Sequence, residues 1–149
     1  MLDTHIWVWA NGKMGGASRF RTAALAAIEI AAAERRLIVS AASVWEIALK
    51  SQKGDLLLTG DLRAWVRDQS RHPGVRVMAM NSALAIDATT LPLWVRKADG
   101  KPHKDPGDHF IVAEARRRNA VLVTCDEVII DYARAGHVNV YDVRLAKRS

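Results

Sequence analysis

Apolar residues along the chain fall into two alternating kinds of run. Short, mostly apolar tracts at residues 37–39, 75–80, 121–124 and 138–141 read as strands of a buried sheet. Longer stretches with helical spacing lie between them. Residues 2–9 pass from a short apolar strand into a helical turn, with the capping residues Asp3 and Thr4 at the junction. A Gly-containing loop at 11–16 precedes an Ala-, Leu- and Glu-rich helix over 19–36, and a second helix over 40–50 ends near Gly54. Leu62, Trp65 and Val66 set the spacing of a helix over 61–71, stopped by Pro73-Gly74, and a short helix follows over 83–90. Residues 92–106 read as a loop, the segment expected to be most mobile, with Gly100 and the basic cluster Arg96, Lys97, Lys101 and Lys104. Helices over 106–119 and 126–135 complete the pattern, and the tail from Arg144 is expected to fray. Short apolar strands alternating with helices predict an α/β fold whose parallel sheet is covered on both faces. Ligands of such sheets bind outside the carboxyl ends of the strands.

Length and composition narrow the class. With 149 residues, 50% of them hydrophobic and 26% charged, the chain fits one globular domain spanning 1–149 and not a disordered one. No apolar run approaches the roughly 18 residues of a membrane span, since Glu29 interrupts the most apolar stretch. The opening residues, with Asp3 and His5, do not form a signal peptide, so a cytoplasmic location is expected. A single cysteine, Cys125, excludes an internal disulfide or a cysteine-based metal cluster, and it reads as a small buried hydrophobe. A net charge of +6 makes polyanions candidate partners.

Against that basic background the positions of the acids matter. Asp3 follows the first strand, Glu46 lies early in the helix after residues 37–39, Asp108 is in the first turn of its helix, and Asp126 follows residues 121–124. Asp105 precedes Asp108 by one helical turn, so the two share a face. Each acid also has a local structural explanation. Asp3 and Asp126 suit N-caps, Asp105-Pro106 is a cap followed by proline at the first helical position, and Ser43 to Glu46 matches a capping box. Their convergence at one sheet edge is what points to chemistry. Gathered carboxylates repel and need a cation, a shared proton or a basic partner, and their hard oxygens suit Mg²⁺ or Mn²⁺.

Four segments in order carry a family resemblance: Leu2-Asp3-Thr4-His5, the run Ser40-Ala41-Ala42-Ser43-Val44-Trp45-Glu46-Ile47-Ala48-Leu49-Lys50, Asp105-Pro106-Gly107-Asp108 leading into Ile111-Val112-Ala113-Glu114-Ala115, and Leu122-Val123-Thr124-Cys125-Asp126. Over nearly its whole length the chain resembles the PIN-domain ribonucleases and, within them, the VapC-type toxins of toxin–antitoxin pairs. The resemblance implies a three-layer α/β/α sandwich with a central, mostly parallel sheet. It also implies a Mg²⁺-dependent endoribonuclease in which one or two ions, with Mn²⁺ as a substitute, position a water and stabilise charge on the phosphate. Asp3, Glu46, Asp108 and Asp126 match the acidic quartet, with Asp105 as a further metal-side acid and Asp3 and Asp108 as the direct metal contacts. Thr4 and Thr124 match hydroxylated positions beside the acids, where helix capping competes with orienting a carboxylate, and His5 reads as packed. The implied partners are an RNA substrate, a cognate antitoxin protein and a second copy of the chain.

The chain departs from its relatives in three ways. It starts two residues before Asp3, which leaves either a minimal first strand or a native start upstream. His109 stands where relatives often carry Arg, and the connection over 91–104 is longer than usual, both bearing on substrate choice. Of the five tryptophans most are expected in the core, Trp94 in the basic loop being the one to test for stacking on bases. Arg116-Arg117-Arg118 reads as a solvated helix face. Two other readings remain from sequence: a non-catalytic PIN-like module that binds RNA or protein, and a PIN-like nuclease acting on DNA.

Overall fold

Leu2 is where the sheet is joined. In the computed structural model, which describes residues 1–10, 20, 22–58 and 60–144, Leu2 bridges in parallel to Val39 on one side and Val123 on the other. Its amide donates to Ile38 O at 2.8 Å, and the next amide, Asp3, donates to Val123 O at 3.0 Å. The expected first strand is therefore a single central residue.

The described elements follow in chain order. They are α1 (Thr4–Ala10), α2 (Thr22–Ala33), β1 (Leu37–Ser40), α3 (Ala41–Lys53), α4 (Leu62–Ser70), β2 (Val75–Met78), α5 (Ser82–Thr89), α6 (Pro106–Arg117), β3 (Leu122–Thr124), α7 (Glu127–Arg134) and β4 (Val140–Asp142). The strand β1 pairs in parallel with β2, Leu37 opposite Val75, and β3 pairs in parallel with β4, Leu122 opposite Val140. With Leu2 between the pairs, the order across the sheet is β2-β1-Leu2-β3-β4.

Side chains alternate between two cores, as the pleat of a strand requires. Leu2, Leu37 and Val39 enter one cluster with Ile6, Trp7, Ile28, Ile47 and Trp65, whereas Met1, Ile38 and Leu122 enter the other with Ile111, Val112, Ile129 and Tyr132. Thus α1, α2 and α4 cover one face, and α6 and α7 the other, giving the three-layer α/β/α arrangement. No described helix is long and apolar enough to cross a membrane.

Several boundaries differ from the sequence expectation for local reasons. Helix α2 stops at Ala33 because Arg35 turns left-handed at φ 57°, and α6 stops at Arg117 ahead of Asn119 at φ 48°. Strand β2 ends at Met78, since Asn81 is the N-cap of α5 and accepts from Leu84 N at 2.9 Å. The capping box expected at Ser43 is not formed. Ser40 caps α3 instead, and Ser43 is buried inside the helix. The tail is not frayed at Arg144, which bridges to Phe20 and pairs with Asp142. The glycine loop at 11–16, residue 19 and residues 145–149 lie outside the described residues.

Candidate active site

The carboxyl ends of Leu2 and β3 form the point where the chain's winding across the sheet reverses, and Asp3 emerges there. Its side chain is buried at 3% exposure. One carboxylate oxygen accepts the Thr4 amide at 2.6 Å and the other accepts the Thr124 hydroxyl at 2.6 Å. Thr124 Oγ1 in turn accepts the Asp126 amide at 3.0 Å. The Thr4 hydroxyl donates to Glu46 Oε2 at 2.6 Å. The two threonines therefore link Asp3 to Glu46 on α3 and to Asp126 ahead of α7. Capping, the reading their sequence positions favour, is not what these hydroxyls do.

The remaining acids arrive on helix starts. Asp105 caps α6 by accepting from Gly107 N at 2.9 Å, with Pro106 in the first turn, and Asp126 caps α7 by accepting from Val128 N and Ile129 N. Both cap expectations hold. Asp108 sits in the first turn of α6. Gly107 lets this helix start approach α3 closely: a Cβ there would lie 3.2 Å from Asp105 Oδ1 and 3.5 Å from Glu46 Oε2.

Mutual repulsion and burial show in the protonation of these groups. Burial pushes the Asp3 carboxyl up to about 7, with Asp108 and Glu46 raising it further against the Thr124 and Thr4 hydrogen bonds. Burial also raises Asp108, opposed by its hydrogen bond from His103 and reinforced by Asp105 and Asp126. Asp3 thus feels Glu46 and Asp108, and Asp108 feels Asp126 and the exposed Asp105.

Two basic side chains hold the outer acids: Lys50, which its four-residue spacing from Glu46 on one helix could have flagged, and His103, which no sequence pattern singles out. Lys50, one turn along α3, pairs with Glu46 Oε1 at 2.7 Å and donates to His5 Nε2 at 3.1 Å. Burial and the Lys50 charge lower the His5 pKa, and the ring packs beside Trp9, as expected of a packed histidine. His103 Nε2 lies 2.7 Å from Asp108 Oδ2. The segment that carries His103 is not the loose loop predicted. Its backbone bridges Val95 to Pro102, and Tyr132 donates to Pro92 O at 2.7 Å. Trp94, singled out as the one to test for base stacking, is 4% exposed and stacks on Tyr132. An indole this hydrophobic finds more contact in the core than over a basic loop.

Other side chains have settled structural roles. Trp7 and Trp65 are buried like Trp94, while Trp45 is 44% exposed. Burial and the neighbouring Asp3 and Asp126 push the half-buried Cys125 thiol up to about 11, which leaves it unreactive. The exposed arginines of residues 116–118 are paired, Arg117 with Asp87 and Arg118 with Glu114. Glu114, the one acid in an apolar helical stretch, is buried at 2% with Oε2 unbonded among the described residues.

Among the described residues, no three His, Cys, Asp or Glu side chains stand as a ready metal cage. The donor set nevertheless fits Mg²⁺, which takes one or two carboxylates and keeps its waters. Asp108 Oδ1 and Asp126 Oδ2 accept no hydrogen bond among the described residues, and a cation beside Asp3 would offset the burial that, reinforced by Asp108 and Glu46, holds its pKa up.

A parallel sheet with acids gathered where its winding reverses defines an α/β protein with an acidic cluster at the carboxyl ends of its central strands. Residues 1–135 match the family described as PIN domain, and the chain belongs to that family. Its fold is similar to a chain in the crystal structure of VapBC2 from Rickettsia felis bound to a DNA fragment from their promoter. The TM-score is 0.64 at 16% identity, covering 96% of this chain and 97% of that one. A chain of FitAB bound to IR36 DNA aligns at a TM-score of 0.45 and 21% identity, over 73% of this chain and 74% of that one. No curated protein sequence matches.

Proposed function

We propose that the chain is a single PIN domain acting as a Mg²⁺-dependent endoribonuclease, the toxin of a toxin–antitoxin pair. The observation that supports it is Asp3, a buried carboxyl where the winding reverses, pressed by Glu46 and Asp108 and tied through Thr124 to Asp126. Asp3 and Asp108 would hold the metal, with Asp126, Glu46 and Asp105 as nearby acids. Mg²⁺ bound there supplies a Lewis acid for hydrolysis of a phosphodiester. The protein's own part is positional. Thr4 and Thr124 fix the planes of Asp3 and Glu46, and the buried floor limits water around the reacting phosphate. The basic net charge of +6 favours collecting a polyanion. The family resemblance adds a cognate antitoxin and a second copy of the chain as partners, in the cytoplasm.

The test is cleavage of a panel of structured RNAs with Mg²⁺ or Mn²⁺, with chelator, and with Asp108→Asn. Metal-dependent cutting reduced at least about 100-fold in the variant is expected. Equal cutting by a folded Asp108→Asn protein defeats the reading. Lys50 on Glu46 and His103 on Asp108 favour a second reading, a non-catalytic module whose acids are already neutralised, and RNA binding without turnover would select it.

A further inference from the structure

We propose that His103 is a positioning residue for Asp108, delivered by residues 91–104 and held in place by an aromatic stack. The inference rests on the nuclease reading and names what orients one of its metal-side carboxylates.

Three observations carry it. First, His103 Nε2 meets Asp108 Oδ2 at 2.7 Å, with the two side chains only 9% and 17% exposed. The bond fixes the plane of the carboxylate, and Oδ1 is left without a hydrogen bond among the described residues. Second, His103 does not reach Asp108 on a free side chain. Its ring lies 4.4 Å from Trp94, and Trp94 stacks on Tyr132 at 4.2 Å and on His109 at 5.4 Å, the two interplanar angles being 15° and 17°. Third, the segment is closed on itself. The His103 amide donates to Trp94 O at 2.8 Å and the Arg96 amide donates to Lys101 O at 2.9 Å, so the two anchoring rings sit at the base of one loop.

Asp108 lies on the first turn of α6, while His103 comes from the preceding connection. Placing the carboxylate therefore depends on a chain segment outside the helix that bears it. A carboxylate oriented in this way presents one oxygen in a fixed direction, as outer partners of metal ligands do. His109 contributes to the same stack, which gives this position a packing role.

The test compares His103→Phe, which keeps a ring against Trp94 and removes the donor, with His103→Gln, which restores an N–H at similar reach. Mn²⁺ affinity without RNA is measured by electron paramagnetic resonance, alongside kcat and KM on a cleaved RNA and the melting temperature. His103→Phe is expected to weaken Mn²⁺ binding and lower kcat by about 10- to 100-fold, with KM changed less than about threefold. His103→Gln should recover most of both. Mn²⁺ affinity and kcat in His103→Phe within about twofold of the parent, or a Gln variant no better than Phe, overturn the inference alone. A parent that takes up no Mn²⁺ and cuts no RNA overturns the nuclease reading and this inference with it.

Discussion

The two ends of the sheet carry opposite chemistry on the same strands. At the amino end, Arg36, Arg76 and Arg118 line a cavity of ≈ 630 Å³ with Ile28, Leu37 and Val121. Its ion pairs are local: Arg36 binds Glu34 two residues away and Arg118 binds Glu114 four residues away. At the carboxyl end, Thr4 reaches Glu46 across 42 residues and Thr124 reaches Asp3 across 121. The hollow walled by arginines is the simpler place. Concavity alone does not mark chemistry here. Buried acids held by partners from distant parts of the chain are the more telling feature, because burial of such groups is costly and persists only where the fold is built around them.

Asp3→Asn tests this contrast most severely. Cleavage should fall by about 1,000-fold or more, while the fold gains stability at neutral pH. The sign follows from proton counts. Folded Asp3 keeps its proton up to about pH 7, whereas the unfolded chain releases it near the ordinary 3.8. Unfolding therefore sheds a proton between those values, and stability of the metal-free protein falls as pH rises through that window, by about 4 kcal/mol. Melting temperatures in chelator from pH 4 to 8 should show the decline in the parent and a flatter profile in Asp3→Asn. A parent profile flat over that range would remove the buried acid from the comparison.

Gly74→Ala should do the reverse. A Cβ at Gly74 would lie 2.3 Å from Ala32 O, a clash with backbone that cannot move aside cheaply. We expect about 2 kcal/mol of destabilisation in urea titrations, with cleavage per folded molecule unchanged. Smallest is Arg76→Ala at the cavity wall. It should alter stability by no more than about 0.5 kcal/mol and leave kcat as it is, and a large loss of kcat would mean that the amino end takes part in the reaction.

The sequence made the outline of this contrast readable. Tracts such as Leu37-Ile38-Val39 are hydrophobic on both faces, so a buried parallel sheet was the economical reading, and the acids stood out at the ends of those tracts. What could not be read was decided by tertiary contact. Ser40 and Ser43 are equally good caps in isolation, and the pairing of β1 with β2 through Ser40 and Met78 fixes where the strand ends. Thr4 and Thr124 show the same local signature whether they cap a helix or bond a distant acid. Lys50 stands four residues after Glu46 on α3, a spacing that pairs opposite charges on a helix, whereas His103 carries no such signal, because its contact with Asp108 depends on how residues 91–104 fold back onto the start of α6. Trp94 misled for a related reason, since a basic neighbourhood in sequence says little about which face a ring turns to the core.

The single-residue join at Leu2 has a mechanical meaning. Glu46 belongs to the half of the sheet built on β1, and Asp126 to the half built on β3, while Asp3 stands on the line between them. Repulsion among these acids acts as a wedge driven into that seam, opposed by backbone hydrogen bonds such as Leu2 to Ile38 and Asp3 to Val123. On the proposed reading a bound cation is then a clasp as much as a reagent, drawing together two halves whose strands are bridged through Leu2 and whose helices α3 and α6 pack across the join.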